Sequence, residues 1–314
     1  PSEIAGPEST SNIILPFNLQ VGAAGSDVLL VWQVGQPAAA CQQYFQWSVN
    51  HGEDWSPRQQ IQELLPGTAS CPQENTILRS SELFYLLSSF SEQNFLMAWN
   101  GERWSEAQPQ RLLTQFNNPE TLNTVNLGCR QIAVTAQDRL YVAGCDLTSL
   151  DTSQGDIWFL SRPLGTTVSW FPSDAEWSGI TTITGGPAVP HFPQVIGDNT
   201  LLTHALWAQA ETPAGSPTNI FHSQWDGSSW SLPAQVMNSP GPVSQLVAVT
   251  NNGAGRVYIL WTTSTGDVYM SHAAAGQLQA STSWSPPSAV PLGLGAIASP
   301  SIAVSDDGTI HVAY

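Results

Sequence analysis

Apolar residues come in short runs that alternate with polar ones or stay continuous, and each run ends in Gly, Asn, Asp, Ser or Pro. No stretch of 12 or more residues free of Gly and Pro repeats apolar positions at i, i+3, i+4 and i+7, so the pattern predicts strands and little helix. Residues 190–236 show the order within one unit. PHFPQVIG, TLLTHALWA, TNIFHSQW and SWSLPAQV read as strands, separated by Gly197-Asp198-Asn199, Thr212 to Pro217 and Asp226-Gly227. These turn residues tolerate the positive φ of tight hairpins. Four short strands joined in this way make one antiparallel sheet.

The unit repeats. Trp-Ser recurs at Trp55, Trp104, Trp177, Trp230 and Trp284, in steps of 49, 73, 53 and 54 residues. A second series, VLLVW, LFYLLS, LYVAG, LLTHALW, VYILW and TIHVAY, ends at Trp32, Ser88, Gly144, Trp207, Trp261 and Tyr314 in steps of 56, 56, 63, 54 and 53. The long third unit contains the insertion SRPLGTTVSWFPSDAEW. A repeat of about 55 residues, each one four-stranded antiparallel sheet, predicts an all-β propeller. Five complete blades are expected at about 12–66, 67–122, 123–186, 187–240 and 241–296, with part of a sixth at 297–314 and six blades as the full count. Residues 1–11 are polar and can supply a closing strand. SPSIAVSDDGTIHVAY gives two strands and stops, and an unpaired edge is adhesive. A longer natural chain, an excised fragment, or strand exchange with another subunit is therefore expected.

The turns before two of the Trp-Ser pairs read Ser48-Val49-Asn50-His51-Gly52-Glu53-Asp54-Trp55 and Ser223-Gln224-Trp225-Asp226-Gly227-Ser228-Ser229-Trp230. They resemble the Asp boxes, S-x-D-x-G-x-x-W, of sialidase-like (BNR repeat) propellers. The other units keep only Trp-Ser, as in Asn100-Gly101-Glu102-Arg103-Trp104. The resemblance implies a fold spanning residues 12–314, with the boxes on the face opposite the catalytic pocket of the enzymes. Those enzymes carry an F/Y-R-I-P motif, three Arg, a Tyr-Glu pair and an acidic Asp. The nearest string here, Ile14-Leu15-Pro16-Phe17, lacks the Arg. Arg58, Arg103, Arg111 and Arg162 fall on outer strands or turns, and only Arg79 and Arg130 on first strands. A non-catalytic member is expected.

Charge narrows the partners. Eight Lys+Arg, all of them Arg, stand against 24 Asp+Glu, for a net charge of -16. Such a surface repels nucleic acid and anionic membranes. No run of 18 apolar residues is present to insert into a bilayer. Cys129 and Cys145 each lie eight residues from Gln137 at the centre of a hairpin, which predicts a cross-strand disulfide and leaves Cys41 to pair with Cys71. Two bridges imply secretion or the cell surface; four reduced, buried cysteines are the alternative.

Candidate chemistry gathers on the face formed by the loops between second and third strands and between blades. Asp146, Asp151, Asp156 and Glu211 fall there and could hold an acid pair or be merely solvated. Asp151, Ser153 and Asp156 resemble part of a calcium loop without its distal Glu, and an Asx-turn loop reads the same way. No other cofactor is signalled. The six His show no metal or triad spacing. Most Trp are explained by packing between blades, whereas Trp170 and Phe171, in the insertion, fit no repeat position. A ligand site is expected at Trp170, Phe171, Arg130, Asp146 and Glu211. The expected function is a bacterial binding or adhesion module for glycan or protein. A sialidase-superfamily glycoside hydrolase and a structural subunit of an extracellular assembly are its rivals.

Overall fold

The computed structural model describes residues 17–34, 42–61, 72, 74–79, 83–89, 94–105, 108–110, 115–117, 124–134, 139–146, 156–163, 181–184, 188–198, 202–212, 215–251, 253–291 and 301–313. In chain order the strands are β1 (Phe17–Ala24), β2 (Asp27–Val34), β3 (Gln42–Ser48), β4 (Gln59–Gln60), β5 (Glu74–Arg79), β6 (Phe84–Ser89), β7 (Asn94–Trp99) and β8 (Gln108–Gln110). They continue with β9 (Gln115–Asn117), β10 (Thr124–Val134), β11 (Arg139–Asp146), β12 (Asp156–Pro163), β13 (Thr181–Thr184), β14 (Pro190–Gly197), β15 (Thr203–Gln209), β16 (Asn219–Trp225) and β17 (Ala234–Asn238). Then come β18 (Val243–Asn251), β19 (Arg256–Thr263), β20 (Val268–Ala274), β21 (Ser288–Ala289), β22 (Ser301–Val304) and β23 (Ile310–Ala313). Helix is limited, among the described residues, to single 3-10 turns at Ala275–Gln277 and Ser281–Ser283.

Two compact units divide the chain. Residues 1–111 with 300–314 hold the sheets β1-β2-β3-β4 and β5-β6-β7-β8 and the pair β22-β23. Residues 112–299 hold β9 to β13, β14-β15-β16-β17 and β18-β19-β20-β21. The expectation of five four-stranded units is corrected to four: the third sheet gains β9, which pairs with β10 through Val125 and Phe116, and so has five strands. Five of the six predicted second strands are second in their sheets, β2, β6, β15, β19 and β23, whereas β11 is third because β9 precedes β10.

The second strands are buried on both faces, with the pattern eBBBBBBi in β2 and BBBBBBB in β15, because each lies between neighbouring sheets. That is why they read as continuous apolar runs. Trp32, Trp207 and Trp261 are no more than 1% exposed. Each stacks on its ladder partner in the third strand, Tyr44, Phe221 or Tyr269, with ring centroids 5.8–5.9 Å apart. In the first unit, the core between the first two sheets contains Leu29, Val31, Phe45, Phe84, Leu86, Met97 and Trp99. The approach is close there: a Cβ on Gly22 would stand 2.5 Å from Ile77 Cγ2.

The Trp-Ser repeat has a hydrogen-bonding cause. The Oγ atoms of Ser56, Ser105, Ser231 and Ser285 accept the third-strand N–H of Trp47, Ala98, Gln224 and His272 at 2.9–3.1 Å. Each serine then donates its own N–H to the carbonyl of that same residue at 2.8–2.9 Å. Serine thus extends the ladder where the fourth strand is too short to do so. Ser231→Ala leaves the Gln224 amide without this acceptor and is expected to lower stability by about 1 kcal/mol, read as a lower denaturant midpoint at unchanged slope.

The turns before the Trp residues correct one expectation, because the second sequence repeat keeps more than Trp-Ser. Asn100 Oδ1 accepts the N–H groups of Glu102 and Arg103 at 3.0 and 2.9 Å, as Asp226 Oδ1 accepts those of Ser228 and Ser229 at 2.8 Å. Gly101 and Gly227 follow at φ +92° and +99°, where a side chain would be strained. The Ser229 and Ser228 amides hold the Asp226 carboxyl down to about 2. In the first unit the Ser48 hydroxyl takes the Gly52 N–H at 2.9 Å and Asn50 Oδ1 takes that of Asp54 at 2.9 Å.

Candidate functional site

Four strands that pair with a second strand, β1, β10, β14 and β18, carry a β-bulge. In β1, β10 and β14 two residues oppose one on the second strand: Asn18-Leu19 against Trp32, Cys129-Arg130 against Gly144, and Phe192-Pro193 against Trp207. In β18 the extra residue is Ser244, whose Oγ donates toward the Thr262 and Thr263 carbonyls at 3.1 Å. Pro190 opens its strand, where a missing N–H is harmless. After each bulge comes a glutamine, Gln20, Gln131, Gln194 or Gln245. Gln194 Oε1 accepts the N–H of Ala248 on the adjacent first strand at 3.3 Å, so it ties the two strands together.

Bulges bend a strand and re-aim its side chains, and they gather beside binding sites. Two of these force a non-glycine residue into left-handed backbone, Asn18 at φ +50° and Phe192 at φ +53°. A bulky ring is a rare occupant of that region, and such strain concentrates at functional positions. Phe192 is partly exposed and lies 5.9 Å, centroid to centroid, from the ring of His191. Burial holds the His191 imidazole below its ordinary pKa, so it is neutral at pH 7. Behind this pair, Trp207 Nε1 donates to Gln209 Oε1 at 3.0 Å, and Gln209 Nε2 donates to the Ala188 carbonyl. The platform is braced from below.

The predicted site residues fall into two groups. Arg130 lies in the β10 bulge, Asp146 ends β11, Asp156 begins β12, and exposed Glu211 follows β15, so these backbones share the bulged end of the second unit. The side chains of Arg130, Asp146 and Asp156 lie outside the described residues, as do Trp170, Phe171, Asp151, Ser153, Cys41 and Cys71. Equal distance from Gln137 does not set the two cysteines face to face, because the bulge places Gly128, rather than Cys129, opposite Cys145. Arg79, at the hairpin end of β5, lies 3.6 Å from Asp306, and Arg58 lies over the Tyr44 ring at 4.8 Å. Among the described residues no group of three His, Cys, Asp or Glu is placed to hold a metal, and no helix is long and apolar enough to cross a membrane.

No protein-family profile matches the chain, and no curated protein sequence does. Solved structures do. A fucose-specific lectin from Aleuria aurantia matches with TM-score 0.56 and 10% identity over 95% of this chain and 88% of that one. The fold is a β-propeller. A sialidase from Trypanosoma rangeli gives TM-score 0.57 and 9% identity over 95% of this chain, which spans 52% of the sialidase. A PL25 polysaccharide lyase, an ulvan lyase, gives TM-score 0.54 and 13% identity over 98% of this chain and 77% of that one.

The structure also assembles a group that sequence spacing hides. Asp198 Oδ2 lies 2.9 Å from His204 Nε2, and His204 Nδ1 lies 3.0 Å from His222 Nε2, with all three residues no more than 1% exposed. His222 is opposite Leu206, two positions from His204, so the imidazoles meet diagonally across β15 and β16. A His pair 18 residues apart has no motif; two strands of known register would have revealed it.

Proposed function

We propose that this propeller is a secreted or cell-surface carbohydrate-binding module, with its ligand at the bulged ends of the first strands in the second unit. The observation that carries the reading is Phe192, a ring held in left-handed backbone that packs against the core between the fourth and fifth sheets yet stays partly open to solvent. Sugar faces stack on such rings. A fold shared with a fucose-specific lectin supports the class of ligand and leaves the particular glycan to experiment. Arg130, Asp146, Glu211, Trp170 and Phe171 complete the proposed contact surface, and Asp151, Ser153 and Asp156 its proposed calcium loop. Bridges Cys129–Cys145 and Cys41–Cys71, and a six-bladed propeller with the unit boundaries given above, belong to the same proposal.

The test is a glycan array followed by titration calorimetry on the best hit. Phe192→Ala is expected to weaken that interaction at least about tenfold, equivalent to about 1.4 kcal/mol, with the thermal midpoint held within a few degrees. An array without signal, or equal affinity in the variant, defeats the reading.

A further inference from the structure

The first unit carries a second group of buried polar side chains, of different chemistry. Asn18 Nδ2 donates to Gln33 Oε1 at 3.1 Å. Gln43 Nε2 and Ser88 Oγ both donate to Asn75 Oδ1, at 3.0 and 2.9 Å. Gln33 faces Gln43 directly in the β2–β3 ladder, and Asn75 faces Ser88 in β5–β6. These four side chains therefore form one polar layer, which caps the apolar core between the first and second sheets at its bulged end. Gln33, Gln43, Asn75 and Ser88 are 0%, 4%, 4% and 2% exposed.

The layer is not self-sufficient. Gln33 Nε2, Asn75 Nδ2 and Gln43 Oε1 are buried without a hydrogen-bond partner among the described residues. Exchanging the O and N of any of these amides moves the mismatch without removing it, because three amide ends lack counterparts. An unmatched buried donor or acceptor has given up its water without a replacement and destabilises the fold. The chain itself shows the less costly solution. Counting from the stacked tryptophans, Gln33 and Gln43 correspond in the fourth sheet to Ala208 and Ile220, both wholly buried in an apolar core. The first sheet keeps two amides where the same repeat works with Ala and Ile. Two unmatched donors and one acceptor, with no charged side chain among them, complement groups that both give and receive hydrogen bonds without net charge.

We infer that Gln33, Gln43 and Asn75 form a recognition site for the hydroxyl groups of a neutral saccharide, separate from the Phe192 platform. From the reading above, the inference takes only the class of ligand. Asn18, strained at φ +50° and bonded to Gln33, sets the orientation of the first amide.

The test uses the full chain with the methyl glycosides of fucose, galactose, glucose and mannose, and with 3'-sialyllactose, followed by calorimetry and saturation-transfer NMR. The double variant Gln33→Ala/Gln43→Ile installs the pair already present in the fourth sheet, and Gln43→Ile alone is the milder version. Both are expected to fold with an unchanged or raised thermal midpoint and to bind the preferred neutral glycoside at least tenfold more weakly. A neutral glycoside held equally well by both variants overturns this site and leaves the glycan-binding reading standing. Binding of sialyllactose alone also overturns the site. Absence of any sugar binding by the unmodified chain overturns the site and the reading together.

Discussion

Trp207→Ala is expected to destabilise the protein by about 3–5 kcal/mol and to lower the thermal midpoint by roughly 10 °C. Trp207 is wholly buried, packs with Tyr141, Ala143, Phe159 and Val195 between two sheets of the second unit, and stacks on Phe221 at an interplanar angle of 15°. Removing the indole opens a cavity that the surrounding strands cannot close without breaking ladder bonds on both sides. It also withdraws the N–H donor that Gln209 accepts. Leu232→Ala provides the contrast, since Leu232 is 89% exposed and its loss should move the midpoint very little. Scanning calorimetry of the two variants checks the pair. Similar shifts in both would mean that the second-strand tryptophans do not anchor the core.

Acid is expected to weaken the fold through His222. An imidazole in the unfolded chain titrates near 6.5, whereas burial and then the neighbouring His204 lower the folded His222 to about 3. Between those values the unfolded chain holds a proton that the folded chain excludes. Stability therefore falls as the pH drops from 6.5 toward 3, with a limiting slope of about 1.4 kcal/mol per pH unit, and the loss is complete below the folded value. The two ring nitrogens explain why the site resists a proton. His222 Nε2 is already engaged by His204 Nδ1, and the other ring nitrogen, Nδ1, is buried without a partner among the described residues, so neither offers a proton a solvated place. Met270 and Phe45 occupy the equivalent place beside the stacked aromatics of the fifth and first sheets, so His222→Met is a conservative replacement. Urea unfolding between pH 4 and 7 should show a flatter pH dependence in that variant. An unchanged slope would place the acid sensitivity elsewhere.

Much of the fold could be read from the sequence because second strands buried on both faces leave continuous apolar runs, and these recur at a nearly constant period. The strand positions of VLLVW and VYILW, and the aromatics opposite them, followed from that alone. What escaped was anything that depends on an inserted residue. Counting outward from Gln137 pairs Cys129 with Cys145, but one extra residue in β10 moves Gly128 into that place. The bulges have a faint signal, a glutamine three or four residues after a proline, as in Pro190 to Gln194 and Pro242 to Gln245. Its meaning becomes clear only when Gln194 is seen reaching the Ala248 amide. Phe192 gives no signal in the sequence, because a Phe between His191 and Pro193 reads as ordinary strand and positive φ leaves no mark on residue type outside Gly, Asn and Asp. The amide layer was hidden for a related reason. Gln33 closes an apolar run and Gln43 follows another glutamine, so both read as polar strand ends, and only the second sheet packed over them makes them interior.

The serine of each Trp-Ser pair gives the outer rim unusual freedom. Because one residue binds the third strand through both its hydroxyl and its amide, the strand that follows can shrink to two residues, as in β4 and β21, or lengthen to five, as in β17. The rim is latched by a dipeptide. Sequence downstream of the latch can drift or accept a graft while the inner strands keep their register, so this is a scaffold whose periphery can be rewritten one blade at a time.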